Sequence, residues 1–316
     1  DERLCVLLVT AADAAVVVPT LNAAEWEAHT ALPLYTWSDS DGPEAALEAA
    51  LSRLGCRRVR RLAVDGEMRA DFALPLMRAT GQPETLPLAA LKIPLRLCKS
   101  AEEIERLQRA ALQADLAMQA AVDACRPGVT EARVAWAAEE AFRLDGADEV
   151  CFKIVGSGPN SAFPHHRSGQ RVVIDIGASL DHYKSDITRV VHLGEPSAEF
   201  RQVYAAVQEA NARGRAAVRP GATAGEVDAS ARTAITAAGY GAHFTHRTGH
   251  GLGLSIHEPP WIMAGSEEPL QVGMVFSVEP GIYLPGRFGV RIEDIVVVTE
   301  SGVRTLTGFD HALIVK

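Results

Sequence analysis

Val172-Val-Ile-Asp175-Ile-Gly177-Ala-Ser-Leu-Asp181-His-Tyr-Lys-Ser-Asp186-Ile-Thr-Arg-Val190 is the stretch whose reading decides the fold. Two runs rich in β-branched residues flank a polar turn around Ser179–His182, the pattern of two antiparallel strands. Each run carries an acid, Asp175 in one and Asp186 in the other. Acids within otherwise apolar strands are costly to bury unless they are paired or bound to a cation. The pattern returns in Val275-Phe-Ser-Val-Glu279-Pro-Gly-Ile-Tyr-Leu-Pro-Gly-Arg-Phe-Gly-Val-Arg291-Ile-Glu293-Asp294. Here two further strands are expected about a Gly/Pro turn, carrying Glu279 and Glu293.

The segments before each pair also echo one another. Arg126-Pro-Gly-Val-Thr130-Glu-Ala-Arg-Val134 recurs as Arg219-Pro-Gly-Ala-Thr223-Ala-Gly-Glu-Val227, with Arg, Pro, Gly, Thr and Val in register. Each copy follows one helical pattern and opens another, which reads as a duplicated α/β half. Between the acid pairs lies His243-Phe-Thr-His246-Arg-Thr-Gly-His250-Gly-Leu-Gly-Leu-Ser-Ile-His257-Glu258-Pro-Pro260, a Gly-rich turn that lets backbone approach a ligand. Two such halves bring four carboxylates and an imidazole to a shared centre. Without counter-charge several would be forced to take up protons. Two divalent ions would keep all four ionised, and oxygen donors with one imidazole suit Mn, Co or Zn.

The rest of the chain sets bounds. Its 316 residues favour two domains at about 150 residues each. Lys and Arg number 31 against 40 Asp and Glu, a net charge of −9, and no segment is basic, which argues against nucleic acid. No apolar run approaches the roughly 20 residues of a membrane span. The five cysteines form no CxxC pair, which points to a reduced, cytoplasmic protein. Strands are expected at Leu4–Thr10, Ala14–Pro19 (these two as a hairpin), Leu34–Trp37 and Arg61–Val64, with a helix over Pro43–Leu54. They make a small α/β domain without a cluster of titratable groups. Gly81–Pro87, followed by Ile93-Pro94, reads as the linker. Ser100 and Glu103 form a capping box for a helix whose buried face carries Ile104, Leu107, Ala111, Met118 and Val122. Another helix after Ser197 places Phe200, Val203, Tyr204 and Val207 on one face. His29, His182, His192 and His311 read as ordinary surface or turn histidines. Trp26, Trp37, Trp136 and Trp261 read as core, with Trp261 also a candidate wall of the site. The chain opens Asp1-Glu-Arg-Leu4 without Met, and the reading is of a somewhat longer natural chain.

Asp175-Ile-Gly, Ser185-Asp186-Ile-Thr-Arg, His246-Arg-Thr-Gly-His250-Gly-Leu-Gly, His257-Glu-Pro-Pro, Val278-Glu279-Pro-Gly-Ile-Tyr and Val290-Arg291-Ile-Glu293-Asp together resemble the pita-bread metallopeptidases. Within them the resemblance is to the Xaa-Pro peptidases, prolidase and aminopeptidase P. It implies an α+β chain with a catalytic domain over 94–316, built of duplicated α/β halves around antiparallel sheet. Residues 1–93 would form a smaller creatinase-type N-terminal domain. It further implies Asp175, Asp186, His250, Glu279 and Glu293 as ligands of two divalent ions, manganese first, with cobalt or zinc as alternatives. Asp186 and Glu293 would bridge the ions. Asp175 would complete one site, and His250 with Glu279 the other.

A hydroxide between the ions would attack the carbonyl before proline, with Glu279 as general base. His257 and His246 would hold the carbonyl oxygen and substrate, Arg291 would orient or pair with Glu293, and His165 would close the pocket. The stretch from His165 to Asp175 is shorter than in relatives. Where many prolidases carry an arginine that grips a dipeptide's carboxylate, this chain has Trp261. Xaa-Pro dipeptidase is the leading expectation, and an aminopeptidase P acting on longer peptides stays open. More remote are methionine aminopeptidase, a creatinase-like hydrolase, and a non-catalytic binding protein on the same fold. The resemblance also implies a homodimer.

Overall fold

The structure is a computed structural model and describes residues 2–162 and 171–316. The chain divides into two compact units, Asp1–Lys92 and Ile93–Lys316. The first contains β1 (Val6–Val9), β2 (Ala14–Pro19), α1 (Ala23–His29), β3 (Leu34–Trp37), α2 (Glu44–Arg53), β4 (Arg61–Val64), α3 (Ala70–Ala79) and β5 (Glu84–Pro87). The alternation of buried and exposed residues in β1 packs Val6 and Leu8 with Val17, Leu47, Leu51 and Leu76. β1 and β2 form the expected hairpin, and β3 adds parallel to β2.

The expected linker is corrected. Glu84–Pro87 is strand β5, parallel to β4, and Ile93-Pro94 lies inside α4 (Ala89–Leu97). β5 lies in a two-stranded sheet, so both strands are edges, where Pro87 lacks no obligatory partner for its missing N–H. The division of the chain therefore falls within a helix.

The second unit opens with two helices, α5 (Ala101–Ala124) and α6 (Glu131–Leu144). The Ser100–Glu103 capping box starts α5, satisfying two orphan N–H groups at about 1 kcal/mol for the cap. Strands β6 (Glu149–Gly156), β7 (Arg171–Leu180), β8 (Tyr183–Lys184) and β9 (Ile187–His192) follow. Then come α7 (Ala198–Ala216), α8 (Ala224–Ala237), β10 (Gly249–Gly251), β11 (Glu258–Ile262), β12 (Val275–Val278), β13 (Gly281–Leu284), β14 (Phe288–Arg291), β15 (Asp294–Thr299), β16 (Gly302–Thr305) and β17 (Ile314–Val315). Thr130 and Thr223, the matching threonines of the echo, each cap a helix, α6 and α8.

Two five-stranded sheets result, ordered β17-β9-β7-β6, with β8 on β7, and β11-β10-β12-β15-β16, and β13 and β14 form a separate two-stranded sheet. α5 and α6 bury Met118, Val134 and Phe142 against Ile174, Ile176 and Ile187 of the first sheet. α7 and α8 bury Phe200, Val203, Val207 and Ile235 against Val290 and Ile292. Each such side chain contributes roughly 1.5–3 kcal/mol through burial. Among the described residues no helix is long and apolar enough to cross a membrane.

The second acid pair sits differently from the expectation of two strands about one turn. β12 pairs β15 with Val278 opposite Asp294, and β13 pairs β14 with Gly281 opposite Arg291. Both pairings share one register, so this is a long hairpin whose ladder breaks at Glu279-Pro280 and Ile292-Glu293. Pro280 has no N–H to continue the ladder. The Glu279 N–H donates instead to the Thr248 carbonyl (2.7 Å) and the Glu293 N–H to the Thr188 carbonyl (3.2 Å). The Thr188–Glu293 bridge joins the two sheets where the acids stand.

Other expectations are also corrected. His192 is buried and packs edge-on against Phe200 at 4.6 Å, while His311 hydrogen-bonds Asp294 at 2.7 Å. Trp37 packs against the core of the first unit as expected, but Trp136 is 52% exposed, because it occupies the solvent side of α6.

Candidate metal centre

Asp175 lies within β7, opposite Thr188 of β9, and Asp186 immediately precedes β9. Glu279 and Glu293 stand at the hairpin break. His250 is in the middle of β10, opposite Trp261 of β11. The strand can approach this closely because position 249 is glycine; a Cβ there would collide with the Ser277 carbonyl. The Ser277 hydroxyl then accepts the His250 N–H (3.1 Å) and donates to Glu279 (3.3 Å).

Ligand atoms of Asp186, His250 and Glu293 all lie within 4.8 Å of one another, and all three residues are buried. His250 Nε2 is 3.6 Å from Asp186 and 3.5 Å from Glu279. Its Nδ1 faces the Gly251 carbonyl at 3.1 Å, so Nδ1 carries the proton and Nε2 presents its lone pair to the carboxylates. Two acceptors facing a lone pair call for a cation between them. Burial, then the neighbouring His257, brings the His250 imidazole down to about 3, which keeps it neutral and available as a donor atom.

The carboxylates behave in the complementary way. Burial, followed by the repulsion of Glu293, Asp175 and Glu279, raises Asp186 well above the usual carboxylate range. Burial raises Glu293 likewise, reinforced by Glu279 and Asp175. Burial pushes Glu279 up to about 7, with Arg291 pulling the other way. Among the described residues Arg291 is the guanidinium that ion-pairs with these carboxylates: it pairs with Asp175, lies 4.0 Å from Glu279, and donates to Thr188 Oγ1 (3.1 Å) and the Tyr283 hydroxyl (2.8 Å). One positive charge against four carboxylates leaves the centre short of cation. Three buried oxygens, Asp175 Oδ1, Asp186 Oδ1 and Glu293 Oε1, have no hydrogen-bond partner among the described residues. Orphaned buried oxygens of this kind are rare, and together with the His250 lone pair they fit divalent ions.

The remaining site residues fall around this core. His257 is exposed, its ring centroid 4.2 Å from that of His250. His246 does not face the carboxylates: its Nδ1 hydrogen-bonds the Arg247 carbonyl (2.7 Å) and its Nε2 the Tyr283 hydroxyl (3.0 Å). Burial and then Arg291 lower this imidazole to about 4, so it is neutral and accepts from Tyr283. Arg291 pairs with Asp175 and reaches Glu293 only through Thr188, whose hydroxyl donates to Glu293 at 2.6 Å. His165 lies outside the described residues.

Sequence reasoning passed over several partners. Tyr283, Thr188 and Arg247 stood within the motifs quoted above but lacked an assigned role. Asn211 of α7 donates to the carbonyls of Val278 (2.9 Å) and Ile292 (3.3 Å), the residues just before Glu279 and Glu293. Its signal was a polar residue on the apolar face of α7, next to Val207 and Ala210. Asp228 of α8 accepts from Arg232 and from Thr248 (2.8 Å), while Arg232 also donates to the carbonyls of Phe244 and His246, bracing the histidine turn.

Oxygen donors and one imidazole nitrogen are thus buried together where two sheets meet, a donor set that fits divalent ions. The chain belongs to metallopeptidase family M24, which matches it over residues 105–300. It is 42% identical to the probable dipeptidase PepE of Mycobacterium tuberculosis over 329 aligned residues, covering 99% of this chain and 86% of the relative. Its fold superposes on the crystal structure of a prolidase from Thermococcus sibiricus with a TM-score of 0.94 at 36% identity, covering 100% of this chain and 88% of the other. An X-Pro aminopeptidase from Thermotoga maritima gives 0.86 at 31% identity, covering 99% and 90%.

Proposed function

We propose that the chain is an Xaa-Pro dipeptidase that hydrolyses the peptide bond before proline with the help of two divalent metal ions. The observation that carries this reading is the convergence of three orphaned carboxylate oxygens and the His250 lone pair, in a chain so similar to a prolidase. Asp186 and Glu293 would be shared by both ions, Asp175 completing one site and His250 with Glu279 the other. Divalent ions bound there polarise a carbonyl and bring a water's pKa towards neutrality. Oxygen donors with one imidazole suit manganese, with cobalt or zinc as alternatives.

The chain's own residues do the rest. Arg291 holds Asp175 in place, and Thr188 does the same for Glu293. Glu279, buried beside His250 and accepting from the Ser277 hydroxyl, would take a proton from the attacking water and deliver it to the imino nitrogen of the departing proline. His257, exposed beside His250, would stabilise charge developing on the carbonyl oxygen. His246 acts through Tyr283, keeping Arg291 oriented. An Xaa-Pro bond has no N–H, and a site built on metal ions and imidazoles needs none.

The same reading takes residues 1–93 as a creatinase-type domain and 94–316 as duplicated pita-bread halves. It places the enzyme in the cytoplasm, in keeping with five unpaired cysteines, as a homodimer. Trp261, standing where a carboxylate-gripping arginine would, favours a second reading, an aminopeptidase P. Two measurements test the proposal. Metal analysis should find two divalent ions per chain after loading with Mn; fewer than one, with no rescue by Mn or Co, would sink the metal centre. Hydrolysis of an Xaa-Pro dipeptide should exceed that of the Xaa-Pro-Yaa tripeptide, and a clear tripeptide preference would hand the case to the second reading.

A further inference from the structure

The turn that leads into β10 carries a cation that has no anionic partner among the described residues. Arg247 is half-buried, and its guanidinium carbon lies 4.4 Å from the centre of the Trp261 ring. Trp261 is the cross-strand neighbour of His250, so the guanidinium stands beside the metal centre. Its charge is felt there: it opposes the burial-driven rise of Glu279 and adds to the lowering of His250. Among the described residues no hydrogen bond or ion pair engages the Arg247 side chain. Burying a charge without a partner is costly. A guanidinium lying over an indole keeps its N–H edge free, and that edge matches the two oxygens of a carboxylate.

Resting on the dipeptidase reading above, we propose that Arg247, held over Trp261, binds the free C-terminal carboxylate of the dipeptide substrate. In an Xaa-Pro dipeptide that carboxylate follows the scissile bond within a single residue, on the Cα next to the scissile nitrogen. The scissile carbonyl must sit at the carboxylate cluster, and Arg247 is three residues from His250. A longer peptide places a neutral amide at the same point and leaves the cation unanswered. The side chain therefore sets chain-length preference from a different strand position than Trp261 occupies, with the indole serving as its platform.

The test uses the Mn-loaded full chain with Ala-Pro, Ala-Pro-amide and Ala-Pro-Ala. The wild type should prefer Ala-Pro to its amide. Arg247→Met should lower kcat/KM for Ala-Pro by about 10- to 100-fold, mainly through KM, and lower it far less for the amide. Arg247→Lys, which keeps the charge but not the fork, should fall between. Trp261→Leu should weaken Ala-Pro selectively as well. Metal content and melting temperature of each variant show that the centre is intact. Equal losses on Ala-Pro and its amide, or no loss on either, would overturn the assignment while leaving the dipeptidase reading standing. A wild type that cleaves none of the three substrates would remove both.

Discussion

Glu293 and Asp294 are neighbours in sequence, both carboxylates, both buried, and they meet opposite fates. Glu293 faces the carboxylate cluster with one oxygen unsatisfied and is raised well above the usual carboxylate range, first by burial and then by Glu279 and Asp175. Asp294 faces the other side of the sheet. It accepts from Arg189 (2.9 Å), Thr307 (3.0 Å) and His311 (2.7 Å), with Arg215 at 3.6 Å. Burial alone would raise Asp294, but the His311 hydrogen bond and the charges of Arg189 and Arg215 hold it below the ordinary range. Arg189 is itself 1% exposed and also donates to the carbonyls of Thr188, Glu293, Phe309 and Asp310. One face of the sheet is thus electrostatically complete, and the other is complete only with added cations. The completed face fixes the backbone from which the incomplete face projects its ligands.

Breaking the completed face should have the largest effect. Asp294→Asn leaves Arg189 buried without its counter-charge, and chemical denaturation should show a loss of about 3–5 kcal/mol. A loss under about 1 kcal/mol would mean that the carbonyls around Arg189 suffice on their own.

The two faces should also respond to pH with opposite sign. Glu279, raised from 4.5 to about 7 in the absence of metal, stabilises the metal-free fold fully below its unfolded value, and that stability is lost as pH rises through about 7. The change amounts to about 3 kcal/mol for this group, and Asp186 and Glu293 shift in the same direction. Asp294, being lowered, contributes stability present above its unfolded value and lost in acid. Metal-free protein should therefore melt lower at pH 8 than at pH 6, and loading with Mn should reverse that order. An unchanged order with and without metal would show that the cluster is not what the ions neutralise.

The link between the faces can be loosened more gently. Thr188→Val removes the hydroxyl that hydrogen-bonds both Glu293 and Arg291 while keeping the side-chain shape. Affinity for Mn, read by calorimetry, should fall about 10- to 100-fold, the scale typical of outer partners of metal ligands. Unchanged affinity would show that Glu293 is held by its backbone alone.

Much of this was legible in the sequence, because much of it is local. β-Branched runs, the Ser100–Glu103 box and the apolar faces of α5 and α7 depend on residues a few positions apart, and they stand where the pattern puts them. The two acid pairs and the histidine turn were equally visible, since an acid in an apolar strand announces itself. The linker misled because Gly and Pro mark edges as readily as they mark connections, as β5 shows.

What the sequence could not say is which charge faces which. Arg189 and Arg291 look alike on paper, whereas strand alternation alone already puts Asp294 on the face opposite Glu293. Side chains one position apart on a strand face opposite ways, so the hairpin break at Glu279-Pro280 and Ile292-Glu293 decides which acids turn inward. That break is held by carbonyls of Thr188 and Thr248, far away in the chain. The same holds for Arg247, whose place over Trp261 follows from the pairing of β10 with β11. The sequence by itself determined the inventory of strands, helices and donor groups, because hydrophobic period and capping are short-range. Tertiary structure alone decided their partners, because burial and charge pairing depend on which distant segments come to share one small volume.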